Sequence, residues 1–151
     1  MRSIVRVSMK YANGVVLELF GSDVGGSGAR FVGEDGAIVV RRGRSSADPS
    51  ELFEQPLEDL PQQLQRSSNH HRDWLEAIRE RRDPIASVEA GHRTASIGHL
   101  ANIARWVTAV TGVGEQSLRW DPEAERFTNN DVANRFLSRS APAPYDLPEQ
   151  V

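Results

Sequence analysis

The sequence predicts an α+β domain, and three stretches predict it. Residues 4–41 alternate apolar and polar side chains around tight turns, residues 69–107 carry helical periodicity broken once at Asp83-Pro84, and residues 130–137 return to a short helix. Together they describe an open, mostly antiparallel sheet with helices packed on one face.

In IVRVSMKY (4–11), Val5, Val7, Met9 and Tyr11 fall on one face and Arg6, Ser8 and Lys10 on the other, the pattern of a half-buried strand. Asn13-Gly14 predicts a type I′ hairpin turn, because both central positions of that turn need positive φ, and VVLELF (15–20) returns as the second strand. The glycine-rich GSDVGGSG (21–28) reads as a flexible hairpin loop. A phosphate-binding loop would lie between a strand and a helix N-terminus; this one joins two strands, and no lysine follows it. ARFVGE, a second turn at Asp35-Gly36 and AIVVRRG complete a four-stranded antiparallel meander. From Gly43 to Ser68 few apolar residues recur with any period, and Pro49, Pro56 and Pro61 interrupt; an extended connection is expected, with one short helical turn around Ser50–Phe53.

Asn69 reads as the N-cap of a helix that ends near Arg82, since Pro84 pushes the residue before it out of the helical region. Trp74, Ala77 and Ile78 form its apolar stripe, while Arg72, Asp73, Arg79, Glu80 and Arg82 face water. Ser87 caps a second, longer helix with Glu89 at the positive end of the dipole and Ile97, Leu100, Ala101, Ala104 and Val107 on a wide apolar face; Gly112 and Gly114 end it. Ser117–Trp120 reads as a short strand and Asp121-Pro122 as a turn. Residues 130–137 form a last helix on Val132, Ala133, Phe136 and Leu137, and the tail APAPYDLPEQV is extended.

Composition narrows the function. A chain of 151 residues accommodates one domain with a sizeable core, so residues 1–151 are read as a single domain. The absence of cysteine excludes disulfides, thiolate nucleophiles and cysteine zinc sites. Lys10 is the sole lysine, so lysine chemistry has one candidate, and it lies in a strand. A net charge of -3 supplies no basic field for nucleic acid. Neither a signal peptide nor a run of membrane-spanning length is visible, and a soluble, cytoplasmic protein without membrane contact is expected.

The histidines are the chemistry-bearing residues to weigh. His70 and His71 are adjacent and would point in different directions on a helix. His92 and His99 lie seven apart on one helical face, with Ser96 and Asn102 near the same line. Two-histidine zinc motifs want i, i+4 spacing and a nearby carboxylate, so no metal is assigned. Such a polar stripe either satisfies groups inside the core or lines a pocket. In the second case its lining is His92, His99 and Asn102, with Arg93 as the anion contact. Asp73, three residues after His70, is within hydrogen-bond reach of it, but a solvated helix start accounts for both. No nucleophile–base–acid set stands out, so no catalytic residue is assigned.

The segments NHHRDWLEAIRERRDPIASVEAGHRTASIGHLANIARW, LRWDPEAERF and NDVANRFLSR, with the YANGV turn and RFVGEDGAIVVRRG before them, resemble the C-terminal half of the glucose–fructose oxidoreductase / inositol dehydrogenase / MocA-like (Gfo/Idh/MocA) family, in its bacterial-type C-terminal branch. The resemblance spans most of residues 4–146, and HHRDWLEAI, EAGHRTASIGHLANIA and WDPEAERF are its most specific pieces. It implies an NAD(P)-dependent oxidoreductase built from a Rossmann domain and a C-terminal α+β domain that forms the substrate site and, through an exposed sheet face, the oligomer interface. Neither the glycine-rich cofactor fingerprint nor the family's Glu-Lys-Pro motif occurs in this chain. The family's aspartate–histidine proton relay belongs to a helix ahead of the strand at which this chain starts, so no catalytic residue is carried over.

The expectation is therefore an incomplete C-terminal (substrate and oligomerisation) domain without a Rossmann domain. It would bind no cofactor alone, with NAD(P) implied for the full-length family and sugar- or polyol-type substrates implied by the resemblance. The expected partners are further copies of itself, joined through the sheet, and a missing Rossmann domain. The alternative is a free-standing, non-catalytic binding and dimerisation module.

Overall fold

Alternation in the first strand survives in three dimensions: in β1 (Val7–Lys10) Val7 and Met9 are half-buried while Ser8 and Lys10 are exposed. The computed structural model describes residues 6–21, 27–54, 56, 58, 60, 62–139 and 142–144. Val5, the central residues of the glycine-rich loop and most of the proline-rich tail, which carried expectations above, lie outside the described residues. The chain forms two units, one from Met1–Ile4 and Phe20–Val88, the other from Val5–Leu19 and Glu89–Val151.

β1 pairs antiparallel with β2 (Val16–Leu19), Val7 opposite Leu19 and Lys10 opposite Val16, and Arg6 donates to Glu18 across the pair. The turn between them differs from the type I′ expectation. The Tyr11 carbonyl accepts from the Gly14 N–H at 3.0 Å and the Asn13 side chain accepts from the Val15 N–H at 3.1 Å. Gly14 alone has positive φ, 89°. The bend is thus centred on Ala12-Asn13, with glycine taking the left-handed position after it, a three-residue loop that suits strand twist equally well.

In the first unit β3 (Ala29–Val32), β4 (Ala37–Arg41) and β5 (Arg44–Asp48) make a three-stranded antiparallel sheet in that order. Two expectations are corrected here. Among the described residues the predicted four-stranded meander is two separate sheets, with β2 paired to β1 and β3 to β4; the flexible hairpin loop expected at 21–28 lies largely outside the described residues. Residues from Gly43 onward do not begin a long connection: β5 pairs with β4 from Arg41↔Arg44 to Ala37↔Asp48. Its sequence, RSSAD, is exposed except at Ala47, so no apolar alternation announces it; backbone hydrogen bonding alone makes it a strand. The short 3-10 turn at Ser50–Phe53 falls where expected.

α1 (His70–Glu80) starts at Asn69, whose side chain accepts from the Arg72 N–H, and ends one turn before Pro84 with Arg81 left-handed at φ 56°. Of its expected apolar stripe only Ala77 is buried; Trp74 and Ile78 are 56% and 49% exposed. Asp73, expected to face water, is half-buried and bonded.

α2 (Val88–Thr111) begins directly after Ser87 and stops at Gly112, whose N–H donates to the Thr108 carbonyl at φ 70°. The core of the second unit sits against its C-terminal half. Ile103 and Val107 pack with Phe127 and Ala133, ringed by Leu100, Trp106, Trp120, Val132 and Phe136. Phe127 belongs to β7 (Arg126–Phe127), paired with β6 (Trp120–Asp121), and Ala133 to α3 (Asp131–Asn134), which Asn130 caps. Asparagines complete this small hairpin. Asn134 accepts from the Phe127 N–H and donates to its carbonyl, both at 2.8 Å, and Asn129 accepts from the Arg119 N–H at 2.8 Å and donates to Ser117. The architecture is α+β, with open antiparallel sheets and, among the described residues, three α-helices.

Candidate functional site

Where α2 begins, the chain folds the β6–β7 turn back against it. Asp121 shapes that turn by accepting from the N–H groups of Glu123 (2.9 Å) and Ala124 (3.0 Å), and these two bonds hold its carboxyl below the usual carboxylate range. Glu125 follows in the left-handed region at φ 48° and brings its carboxylate to His92, with Nε2 and Oε1 2.5 Å apart. One residue on, the Arg93 guanidinium donates to Glu89 (2.7 Å) and to the Pro122 carbonyl (3.1 Å). Two of the four predicted site residues are thereby fixed by one turn. The expected anion contact, Arg93, already holds a carboxylate.

His99 and Asn102 lie farther along α2 and do not join this cluster. All four residues are exposed, so the reading in which they satisfy groups inside the core does not hold. Ser96, on the same stripe, donates to the His92 carbonyl within the helix at 2.9 Å. Among the described residues no three histidine or carboxylate side chains converge as metal ligands would.

The first unit carries a cleft that the sequence reading passes over. The Asp73 carboxylate accepts from the Ile85 N–H at 2.7 Å and from Arg82 at 3.0 Å, which draws residues 82–86 back onto the first turn of α1. Between them lies a space of about 200 Å³ lined by His70, His71, Trp74, Pro84 and Ile85. The two imidazoles do not diverge as adjacent helical positions would suggest. Their ring centroids are 4.1 Å apart, tilted 38° to one another, at the first two positions of α1. Asp73 makes no bond to His70; the Ile85 N–H, and then Arg82, keep its carboxyl below the usual range. The Asp73 carboxylate, which also lines this space, is already taken up by Ile85 and Arg82. The sequence signal was an aspartate in the first turn of a helix whose following loop carries Arg82 and Pro84-Ile85, but spacing alone pointed that aspartate at His70.

A dinucleotide would need a glycine-rich turn leading from a strand into a helix. α1 follows Ser68-Asn69, α2 follows Ser87 and α3 follows Asn129-Asn130, so the described residues offer no such cradle and do not fit the cofactor.

The helices, the asparagine-braced hairpin and the antiparallel strands make an α+β fold, and the family described as "Oxidoreductase family, C-terminal alpha/beta domain" matches residues 1–147. The chain belongs to this family, as a C-terminal domain of the Gfo/Idh/MocA oxidoreductases. Neither a curated protein nor a solved structure matches it. Among the described residues no helix is long and apolar enough to cross a membrane.

Proposed function

We propose that this chain is the substrate-side and assembly portion of a cytoplasmic NAD(P)-dependent oxidoreductase acting on sugar- or polyol-type substrates, and that it is not catalytically complete alone. The observation that carries this reading is family membership over residues 1–147, in a sequence without a cofactor fingerprint or a Glu-Lys-Pro motif. Within it, the polar stripe of α2 is the substrate-facing surface. His92 and Arg93 are set by the β6–β7 turn, and His99 and Asn102 offer exposed donors and acceptors to hydroxyl groups. Calorimetric titration of the purified chain with NADH, alongside an assay of polyol oxidation, tests the proposal. No heat of binding in the micromolar range and no turnover are expected; micromolar binding or unaided turnover would sink it.

One observation favours the second reading, a free-standing dimerisation module: Phe31 and Val32 of β3 are 62% and 72% exposed. Both readings share the expectation of a homo-oligomer through the sheet.

A further inference from the structure

One edge of the β3–β4–β5 sheet stands open. Among the described residues β3 pairs only with β4, and all four of its residues are exposed. Bonded and non-bonded pairs alternate along an antiparallel ladder. The Gly33 N–H donates to the Gly36 carbonyl at 2.9 Å, so Phe31 and Ile38, two steps along, are again a bonded pair. The backbone groups of Arg30 and Val32 therefore point away from the sheet, and no described residue takes them up. A row of such groups is a template for another strand.

This edge is complementary to itself. Two antiparallel copies related by a two-fold axis bring the outward groups together with Arg30, Phe31 or Val32 on the axis. Arg30 on the axis sets two arginines directly opposite each other, which opposes pairing. Phe31 on the axis sets Arg30 against Val32 and Glu34 against Gly28, so both charges stay unmatched. Val32 on the axis sets Arg30 against Glu34 of the second copy, twice by symmetry, and Phe31 against Gly33. Arg30 and Glu34 are both exposed, and among the described residues neither forms an ion pair within its own chain. A Cβ on Gly33 would meet nothing within 4 Å, so an aromatic ring has room above it, and a ring laid across an edge glycine shields the backbone there. In this one register the free backbone groups, the charges and the exposed Phe31 and Val32 all find partners.

We propose that β3 pairs antiparallel with β3 of a second copy, with Val32 on the two-fold axis and an Arg30–Glu34 ion pair on either side. Two three-stranded sheets thereby become one of six strands. The inference rests on the reading above that the chain assembles with itself, and it names the surface as a strand edge.

The test is sedimentation equilibrium of the full chain at micromolar concentration. The parent should dimerise. Arg30→Glu and Glu34→Arg should each weaken the dimer about tenfold or more, because each turns two opposite-charge pairs into like-charge pairs. An equimolar mixture of the two variants should recover it, since every glutamate then faces an arginine. Arg135→Glu, the same change of charge outside this sheet, should leave the dimer unaltered. Exchange of the Val32 amide hydrogen should slow with rising concentration in the parent and not in Arg30→Glu. A dimer indifferent to Arg30→Glu and Glu34→Arg, or a mixture that stays monomeric, overturns the edge pairing and leaves self-assembly standing. A monomeric parent overturns both.

Discussion

Asp73 ties the end of α1 to its beginning. One oxygen takes the Arg82 guanidinium and the other the Ile85 N–H, so a single carboxylate closes the turn that forms the cleft beside His70 and Trp74. Its carboxyl is held low first by the Ile85 bond and then by Arg82. A depressed folded-state value means that the stabilisation is complete above the unfolded carboxylate value of about 3.9 and is lost as pH falls through the lower folded value. Asp73→Asn should therefore unfold at lower urea than the parent at pH 7, and the difference should close on acidification below about pH 4. Equal midpoints at neutral pH would show that the carboxylate contributes nothing to the closure. Legibility at this scale depends on reach. The caps Asn69 and Asn130 bond within three residues and can be read from the sequence, whereas the bond from Asp73 spans twelve residues and the Asn134–Phe127 bracket seven, distances that only the folded chain sets.

At the level of elements, what the sequence reveals depends on whether burial or backbone pairing makes the element. α2 buries Ala101, Ile103 and Val107, and its periodicity shows; β5 and β7 bury one side chain or none and stay hidden until their pairing partners are known. α2 also carries Gly98 in its interior, where a Cβ would meet nothing within 4 Å. Glycine is the costlier helix residue on entropic grounds, so Gly98→Ala should raise the stability of the chain by about 1 kcal/mol. Urea unfolding reads this directly, and a destabilised variant would mean that something packs on this stretch in solution.

For the molecule as a whole, the resemblance carried by the helix pair and the segment around WDPEAERF agrees with the family match over residues 1–147, whereas the candidate site is only partly legible. The stripe from His92 to Asn102 follows from helical spacing, but its anchoring to Glu125 depends on a left-handed residue in a turn thirty-three positions away. The proposed assembly is testable at this scale. Light scattering of the purified chain at micromolar concentration should return at least a dimer mass, and Phe31→Glu, which places a charge on the apolar side of the sheet, should return a monomer. A monomeric parent would remove the assembly role. The unequal edges of the β3–β4–β5 sheet bear on a different mode of association, strand to strand at an edge. The outer strand β5 is arginine, serine and aspartate apart from Ala47, a composition that resists strand addition, while β3 at the opposite edge carries Phe31 and Val32. A sheet open to extension at one edge and refractory at the other can join a neighbour edge to edge once and then terminate. It is thereby biased toward closed pairs and away from fibrous polymers, a protection that sequence hydrophobicity alone would not disclose.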